Sequence, residues 1–310
     1  MAQHIYNLAN VNLTEPSLVT IGVFDGVHRG HQHLIQQLVE DAHRSNRLAV
    51  VLTFFPHPDV VLRGLNGRYY LTTAEQKADL LMQLGVDYVV TQTFDDALRQ
   101  VRAADFVDQL RESLNMTALA VGADFAMGYK REGNVDFLRE QGVQKGFDLR
   151  VIDLVANDSE IISSTAIRRA LEAGDVELAR KWLGRSYSLT GMVVHGAKRG
   201  RQIGYPTANT QVWDQQVIPA NGIYASWVYL HGERYMAATN VGIRPMFEGD
   251  DITVEPHILD FNQDVYGETL TVTFEKRLRD EATFDSLDAL IAQIGADVEA
   301  SRAYLSAEAG

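Results

Sequence analysis

The chain has 310 residues, more than one typical domain, and 46% of them are hydrophobic, as in ordinary globular proteins with real cores. Zero cysteines exclude disulfides, thiolate metal sites and cysteine nucleophiles. The net charge of −13 is shared, with 18 basic against 24 acidic side chains over residues 1–184 and 10 against 17 over 185–310, and such an acidic body argues against broad binding to nucleic acid or membrane surfaces.

The first residues, Met1-Ala2-Gln3-His4-Ile5-Tyr6, lack the basic start and apolar core of a signal peptide, and no stretch reaches the roughly 18 apolar residues of a membrane helix. A cytoplasmic protein is expected. Residues 18–21 form an apolar, β-branched run that leads into an Asp25-Gly26 turn signal, after which residues 31–43 read as a helix. Strand, glycine-rich turn and helix N-terminus together bind phosphate, because unpaired backbone N–H groups and the positive end of the helix dipole point outward there. Gly26 and Gly30 allow a tight turn and close approach of a ligand. His28 and His31, three apart, place both imidazoles on one side of that turn. Such imidazoles can stabilise charge that grows on a phosphate in a transition state. The site is not of the P-loop kind, since no G-x-x-x-x-G-K-[ST] occurs.

Residues 48–55 are a second continuous apolar run, as in a buried parallel strand, and Pro56-His57-Pro58 stops it. Thr72 or Thr73 caps a helix that runs to Gly85. A short strand over 87–91, a helix over 105–114 and strands over 118–121 and 149–154 follow. This alternation predicts right-handed βαβ units and a Rossmann-like parallel sheet covered on both faces, with ligands beyond the carboxyl ends of the strands. Residues 122–133 leave such a strand end. Asp124 and Lys130 are candidates there, although a plain glycine-rich connector accounts for the pattern equally well. Ser163 and Ser164 are good N-caps for a helix reaching Gly174, and with Arg168 the same hydroxyls would make a second anion pocket. Local positive charge comes from Lys130-Arg131, Arg168-Arg169 and Lys198-Arg199-x-Arg201.

A further helical pattern spans 174–184, and the composition changes at Gly184-Arg185-Ser186, which divides the chain into domains 1–184 and 185–310. Short strands follow at 187–194, 222–230, 234–239, 253–259 and 269–274. Strands without intervening helices predict a small antiparallel β-barrel. A last amphipathic helix over 285–304 aligns Leu287, Leu290, Ile291, Ile294 and Val298 as a core-packing stripe. Within the barrel, Thr207 and Asn209 are neutral oxygen donors two apart after the rigid Pro206, suited to a Mg²⁺ that keeps waters and bridges phosphates. A tight charged hairpin is the simpler account of the same stretch. Glu255 lies in a strand-like run, where it is either a general base or an ordinary glutamate.

Together these motifs resemble the prokaryotic bifunctional riboflavin kinase/FMN adenylyltransferase (FAD synthetase) family, over essentially the whole chain and in the same order. Gly22-x-Phe24-Asp25-Gly26-Val27-His28-x-Gly30-His31 and Ile162-Ser163-Ser164-Thr165-x-Ile167-Arg168 resemble nucleotidyltransferase signatures. His195-Gly196-x-x-Arg199-Gly200-Arg201, Pro206-Thr207-Ala208-Asn209, Gly222-Ile223-Tyr224-Ala225, Asn240-Val241-Gly242-x-Arg244-Pro245 and Val254-Glu255-x-His257-Ile258-Leu259-Asp260 resemble the kinase barrel. The resemblance implies two reactions, riboflavin and ATP to FMN and ADP, then FMN and a second ATP to FAD and diphosphate. It implies catalytic roles for His28, His31 and Glu255. ATP or phosphate contacts fall to Gly22, Phe24, Asp25, Gly30, Ser164, Thr165, Arg168, His195, Gly196 and Arg201. Flavin contacts fall to Asp124, Asn240 and Arg279, and Mg²⁺ to Thr207 and Asn209. The partners implied are small molecules alone, with no nucleic acid or membrane, in a monomer or weak homo-oligomer. The chain departs from the family at Phe55, where a glutamate is common, at Ala123-Asp124 for the usual Glu-Asn, and at Met246 for a threonine.

Two other readings stay open at this point. One is a nucleotidyltransferase for another phosphorylated acceptor with the barrel as a binding module. The other is a flavin-binding regulator without catalysis.

Overall fold

The computed structural model describes residues 2–152, 162–196, 199–246 and 249–309, and of residues 199, 244–246, 249–251 and 309 it describes the backbone alone. The expected strand end at Leu154 and the basic Lys198 lie outside the described residues. The chain divides into two compact units, Met1–Ser164 and Thr165–Gly310.

The first unit opens with a strand that the sequence pattern did not reveal, β1 (Gln3–Tyr6). Next come β2 (Ser17–Ile21), α1 (Arg29–Arg44), β3 (Leu48–Phe55), α2 (Pro58–Arg63), α3 (Ala74–Gln83) and β4 (Tyr88–Thr93). The rest are α4 (Ala103–Leu114), β5 (Met116–Gly122), the short pair β6 (Ala126–Met127) and β7 (Gly133–Asn134), α5 (Val135–Lys145) and β8 (Asp148–Ile152). Among the described residues six of these strands form one sheet in the order β1-β4-β3-β2-β5-β8, and every pairing is parallel.

The apolar runs are continuous because both faces of this sheet are covered. Val19, Ile21, Val50, Leu52, Leu119 and Val121 pack with Phe106, Val107, Leu110 and Leu114 of α4 and Leu138 of α5. Their neighbours Leu18, Ala49, Val51, Ala118 and Ala120 point the other way, onto Ile35 and Leu38 of α1 and Ala78 and Leu81 of α3. The strand order reverses at β2, with β3 on one side and β5 on the other. That junction is where an open parallel sheet leaves a crevice at its carboxyl end. The turn after β2 and the loop after β5 both stand there.

Local chemistry explains where the helices start. α1 begins at Arg29, two residues before the expected start, because the extended His28 serves as its N-cap. Thr73 caps α3 in a reciprocal capping box with Gln76. α2, unforeseen, is capped by His57 with Pro58 in its first turn. The unforeseen α5 buries only Leu138, Gln141 and Gly142, too little for an apolar stripe in its sequence.

The second unit takes in most of α6 (Ser164–Glu172), then α7 (Val176–Leu183), β9 (Tyr187–Val194), α8 (Arg199–Gln202), β10 (Asn209–Val212), β11 (Gly222–Leu230), β12 (Glu233–Met246), β13 (Gly249–Ile258), β14 (Thr269–Arg279) and α9 (Leu287–Ala309). The strands close a barrel in the order β10-β13-β12-β11-β14-β9, all antiparallel, with β9 pairing β10. Tyr187, Leu189, Tyr224, Val228, Val272 and Phe274 are buried, and Tyr224 meets Phe274 edge-on at 5.3 Å. α6 and α7 pack on this barrel: Ala220 N donates to Leu171 O at 2.9 Å, and Arg180 reaches the buried Glu275 at 3.2 Å.

The stripe expected on α9 is corrected by the structure. Leu287 is 59% exposed, and Leu290, Ile291, Ile294 and Val298 are only half-buried. On that same face the deepest burial falls further along, at Asp297, Ser301 and Leu305. Asp297 takes a two-pronged ion pair from Arg279 at 2.9 and 2.6 Å, and Leu305 packs on Ala225 and Trp227 of β11. A paired arginine makes a buried carboxylate tolerable, so the helix docks by a polar contact that hydrophobic periodicity cannot reveal. Among the described residues no helix is long and apolar enough to cross a membrane.

Candidate functional sites

In the first unit the site is built on the turn between β2 and α1. Gly22 N still donates to Leu52 O of the neighbouring strand, 3.0 Å, and then the backbone leaves ordinary space: Phe24 (φ 51°), Gly26 (φ 78°) and Val27 (φ 41°) are left-handed. For a β-branched valine that conformation costs roughly 1–3 kcal/mol, which surrounding contacts must offset. Phe24 and Val27 are both buried. The Phe24 ring folds back over Gly22, where a Cβ would lie 2.6 Å from it.

Asp25 has its carboxylate turned inward. Both oxygens accept from Leu71 N at 3.1 Å, and one accepts from Thr72 N at 3.2 Å and Thr72 Oγ1 at 3.3 Å. Its carbonyl accepts from Ser164 Oγ at 2.9 Å. Buried Lys77 donates to Val23 O at 3.1 Å and Phe54 O at 3.0 Å, tying the ends of β2 and β3 to α3. Burial pulls its pKa down to about 8, against the opposing pull of Asp25. Sequence reasoning missed Lys77. The signal was there, since it interrupts the apolar face Ala74, Ala78, Leu81 of α3 at the spacing of a core position.

His28 Nδ1 accepts weakly from His31 N at 3.4 Å. Gly30 makes room for that ring, since a Cβ there would touch it at 3.3 Å. The two imidazoles stack at 3.6 Å with planes 17° apart, and Phe24 stands edge-on to His31 at 5.2 Å. Burial, then the adjacent His28, then Lys77 hold His31 well below the usual imidazole pKa. Its ring is therefore neutral at pH 7. Among the described residues its buried Nδ1 has no hydrogen-bond partner, an orphaned polar atom at the N-terminus of a helix whose dipole favours anions.

On the far side of the sheet reversal, Asp124 is exposed beyond β5, its carbonyl accepting from Arg131 at 3.3 Å. Lys130 is exposed and left-handed (φ 51°). Thr165 is exposed on the first turn of α6 and Arg168 is buried along it.

In the second unit β10 inserts between β9 and β13, so residues 206–208 run beside Glu255, Pro256 and His257. Thr207 Oγ1 lies 3.4 Å from Glu255 Oε2. Asn209 sits opposite Val194 in the β9 pairing, its amide against Gly196, where a Cβ would lie 2.3 Å from it. Asn240 pairs directly with Glu255 across β12 and β13, so the two side chains leave the same face. A cleft of about 540 Å³ opens beside them, lined by Thr207, Arg201, Pro256, Phe261 and Tyr266 among others. A small adjoining recess reaches Gly196 and Asn209. The exposed His195 lies against Tyr266 at 4.0 Å between ring centres. The barrel thus brings Thr207, Asn209, Glu255 and Asn240 together. Arg279 donates from its three guanidinium nitrogens to Asp297 and Asp280 O.

Residues 11–166 match the FAD synthetase family model, and residues 183–305 match the riboflavin kinase model. The bifunctional riboflavin kinase/FMN adenylyltransferase of Pseudomonas fluorescens is 40% identical over 294 residues, 94% of this chain and 94% of that protein. The chain belongs to the bifunctional riboflavin kinase/FMN adenylyltransferase family. Its relative of the same description in Escherichia coli strain K12 is 38% identical over 302 residues, 97% of this chain and 96% of that one. A crystal structure described as a macrolide-efflux protein from Streptococcus pneumoniae has the same fold, with a TM-score of 0.87, 32% identity and coverage of 97% of this chain and 98% of that one. The FAD synthetase region contains the stacked histidines. The riboflavin kinase region contains Thr207, Asn209 and Glu255. Most of α6 and α7 lies between the two matched regions.

Proposed function

We propose that the chain makes FAD in two steps at two sites. The barrel converts riboflavin and ATP to FMN and ADP, and the first unit converts FMN and a second ATP to FAD and diphosphate. One observation carries this reading: each unit has its own phosphate-suited constellation, the stacked His28 and His31 in one and the Thr207–Glu255 pair beside a cleft in the other. The efflux description of the Streptococcus pneumoniae structure is not carried over, because imidazoles at a helix N-terminus and clustered oxygen donors suit phosphate chemistry.

In the kinase step Glu255 accepts the proton of the ribityl 5′-hydroxyl as that oxygen attacks the γ-phosphorus in line. Asn240, on the same face, and Arg279 contact the flavin. His195, Gly196 and Arg201 border the triphosphate. The hydroxyl of Thr207 and the amide oxygen of Asn209 are hard, neutral donors that fit Mg²⁺, which takes further oxygens from phosphates and water. Among the described residues no three His, Asp or Glu side chains gather as a self-sufficient metal cage, so a cation in the barrel belongs with the nucleotide. Mg²⁺ held there would supply positive charge against the charge growing on the departing ADP.

In the adenylyl step a phosphate oxygen of FMN attacks the α-phosphorus and diphosphate leaves. His28 and His31 stabilise the transition state. His31, being neutral, acts by donating a hydrogen bond rather than by charge. Gly22, Phe24, Asp25 and Gly30 shape the turn around the nucleotide. Ser164, Thr165 and Arg168 hold the departing phosphates, and Asp124 lies toward the flavin substrate. The adenylyltransferase chemistry is assigned to 1–184 and the kinase chemistry to 185–310. The enzyme acts on small molecules in the cytoplasm, as a monomer or weak homo-oligomer.

The test is incubation with riboflavin, ATP and Mg²⁺, with flavins separated over time. FMN rising first and FAD following supports both steps. FMN accumulating alone overturns the adenylyl assignment, and no new flavin overturns the whole reading.

A further inference from the structure

Three successive residues tie the run 206–208 to β13. Thr207 Oγ1 reaches Glu255 Oε2 at 3.4 Å, and Ala208 N donates to Pro256 O at 2.9 Å. The third tie is the shortest, between Pro206 O and His257 Nδ1 at 2.7 Å. A carbonyl only accepts, so this contact requires the proton on Nδ1. The ring of Tyr205 packs edge-on against His257 at 5.4 Å, a second restraint on the imidazole. Pro206 and Ala208 are thus each anchored, and Thr207 is the residue slung between them.

We propose that His257 is a positioning residue for phosphoryl transfer, holding the Pro206 carbonyl so that Thr207 stays in register with Glu255. The proposal rests on the kinase reading of the barrel. The Thr207–Glu255 contact is already at the long limit of a hydrogen bond, so it has no slack. Releasing Pro206 by even 1 Å, about the spread that separates a good hydrogen bond from none, parts the hydroxyl from the carboxylate. The other Thr207 neighbour, Ala208, cannot correct this, because its tie fixes the strand side and not the turn side. Groups that orient metal-binding side chains from behind typically change metal affinity or activity by roughly 10–100-fold when removed.

Asparagine can place an amide N–H where the histidine Nδ1–H was, while glutamine carries its amide to the Nε2 position and leaves Pro206 O without a donor. The test compares His257→Asn, His257→Gln and His257→Leu in the full chain. Expected for the Gln and Leu variants is a roughly tenfold rise in the Mg²⁺ needed for half-maximal FMN formation. Faster hydrogen exchange at the Ala208 amide should accompany it. The Asn variant should restore both, and FAD formation from added FMN should be unchanged in all three. Trp182, Trp213 and Trp227 are the three tryptophans of the chain, and all lie in 165–310, so a tryptophan-fluorescence melt reports whether the barrel unit is folded. Wild-type Mg²⁺ requirement and Ala208 exchange in the Gln variant overturn the proposal. So does an Asn variant as impaired as Gln with an unchanged melt. If the Leu variant does not fold, the Asn and Gln pair decides. Absence of FMN formation in the unmodified chain would instead sink the kinase reading, and Ala208 exchange would still show whether His257 holds the turn.

Discussion

Replacing Asp25 tests whether the phosphate-binding turn is held from behind. Its carboxylate serves Leu71 N, Thr72 N and Thr72 Oγ1 and faces the Lys77 ammonium. Leu71 and Thr72 are buried, so Asp25→Ala strands two backbone donors away from water, at about 1–3 kcal/mol each. The lost counter-charge adds less than a buried ion pair usually would. Lys77 can escape by shedding its proton, and from a pKa of about 8 that costs only about 1.4 kcal/mol at pH 7. The expected loss is therefore about 2–7 kcal/mol for alanine. For Asp25→Asn, which keeps one acceptor oxygen, it is about 1–3 kcal/mol. The assay is denaturant unfolding followed by far-ultraviolet circular dichroism, with hydrogen exchange at Leu71 and Thr72; tryptophan fluorescence is blind to this unit. FAD formation should fall with the loss of order while FMN formation persists. An alanine variant within about 1 kcal/mol of the parent, below the least penalty for stranding two buried donors, would refute the reasoning.

Three further outcomes are expected. His28→Ala should lower FAD formation by roughly 10²–10³-fold and spare FMN formation, and Glu255→Ala should do the reverse by roughly 10²–10⁴-fold; both are read from flavin chromatography. Because the folded pKa of Lys77 lies near 8 and the unfolded one near 10.5, the unfolded chain binds more protons between those pH values. The stability of the first unit should then rise through that window by about 3 kcal/mol on this account, and Lys77→Met should flatten the rise in a pH series of melts. Gly196→Ala would drive a Cβ to 2.3 Å from the Asn209 amide, so the Mg²⁺ requirement of FMN formation should increase while FAD formation from FMN stays constant.

The elements legible in the sequence were those with strong local signals. β3 and β9 fall on their expected residues, and Thr73 caps α3. β1 and β10 were missed because short, polar-containing strands carry no apolar run and owe their state to partners far away, β4 for one and β9 and β13 for the other. α9 was legible as a helix, but which positions on its packing face are buried most deeply was not, because Asp297 is buried through Arg279, a residue on another element. The pairing of β12 with β13 extends both strands past their expected ends, to Met246 and back to Gly249.

The sequence by itself determined the two phosphate-suited segments, since a strand, glycine turn and helix cap are set by residues within a few positions of one another. His28 and His31 stack because they are three apart at the start of one helix. Tertiary structure alone decided what supports them. Asp25 meets Leu71 and Thr72 some 46 residues away, Lys77 reaches back to Val23 across 54, and Thr207 meets Glu255 across 48. Such contacts depend on which strands become neighbours, and that is set by burying two faces of a sheet and closing a barrel rather than by any local preference.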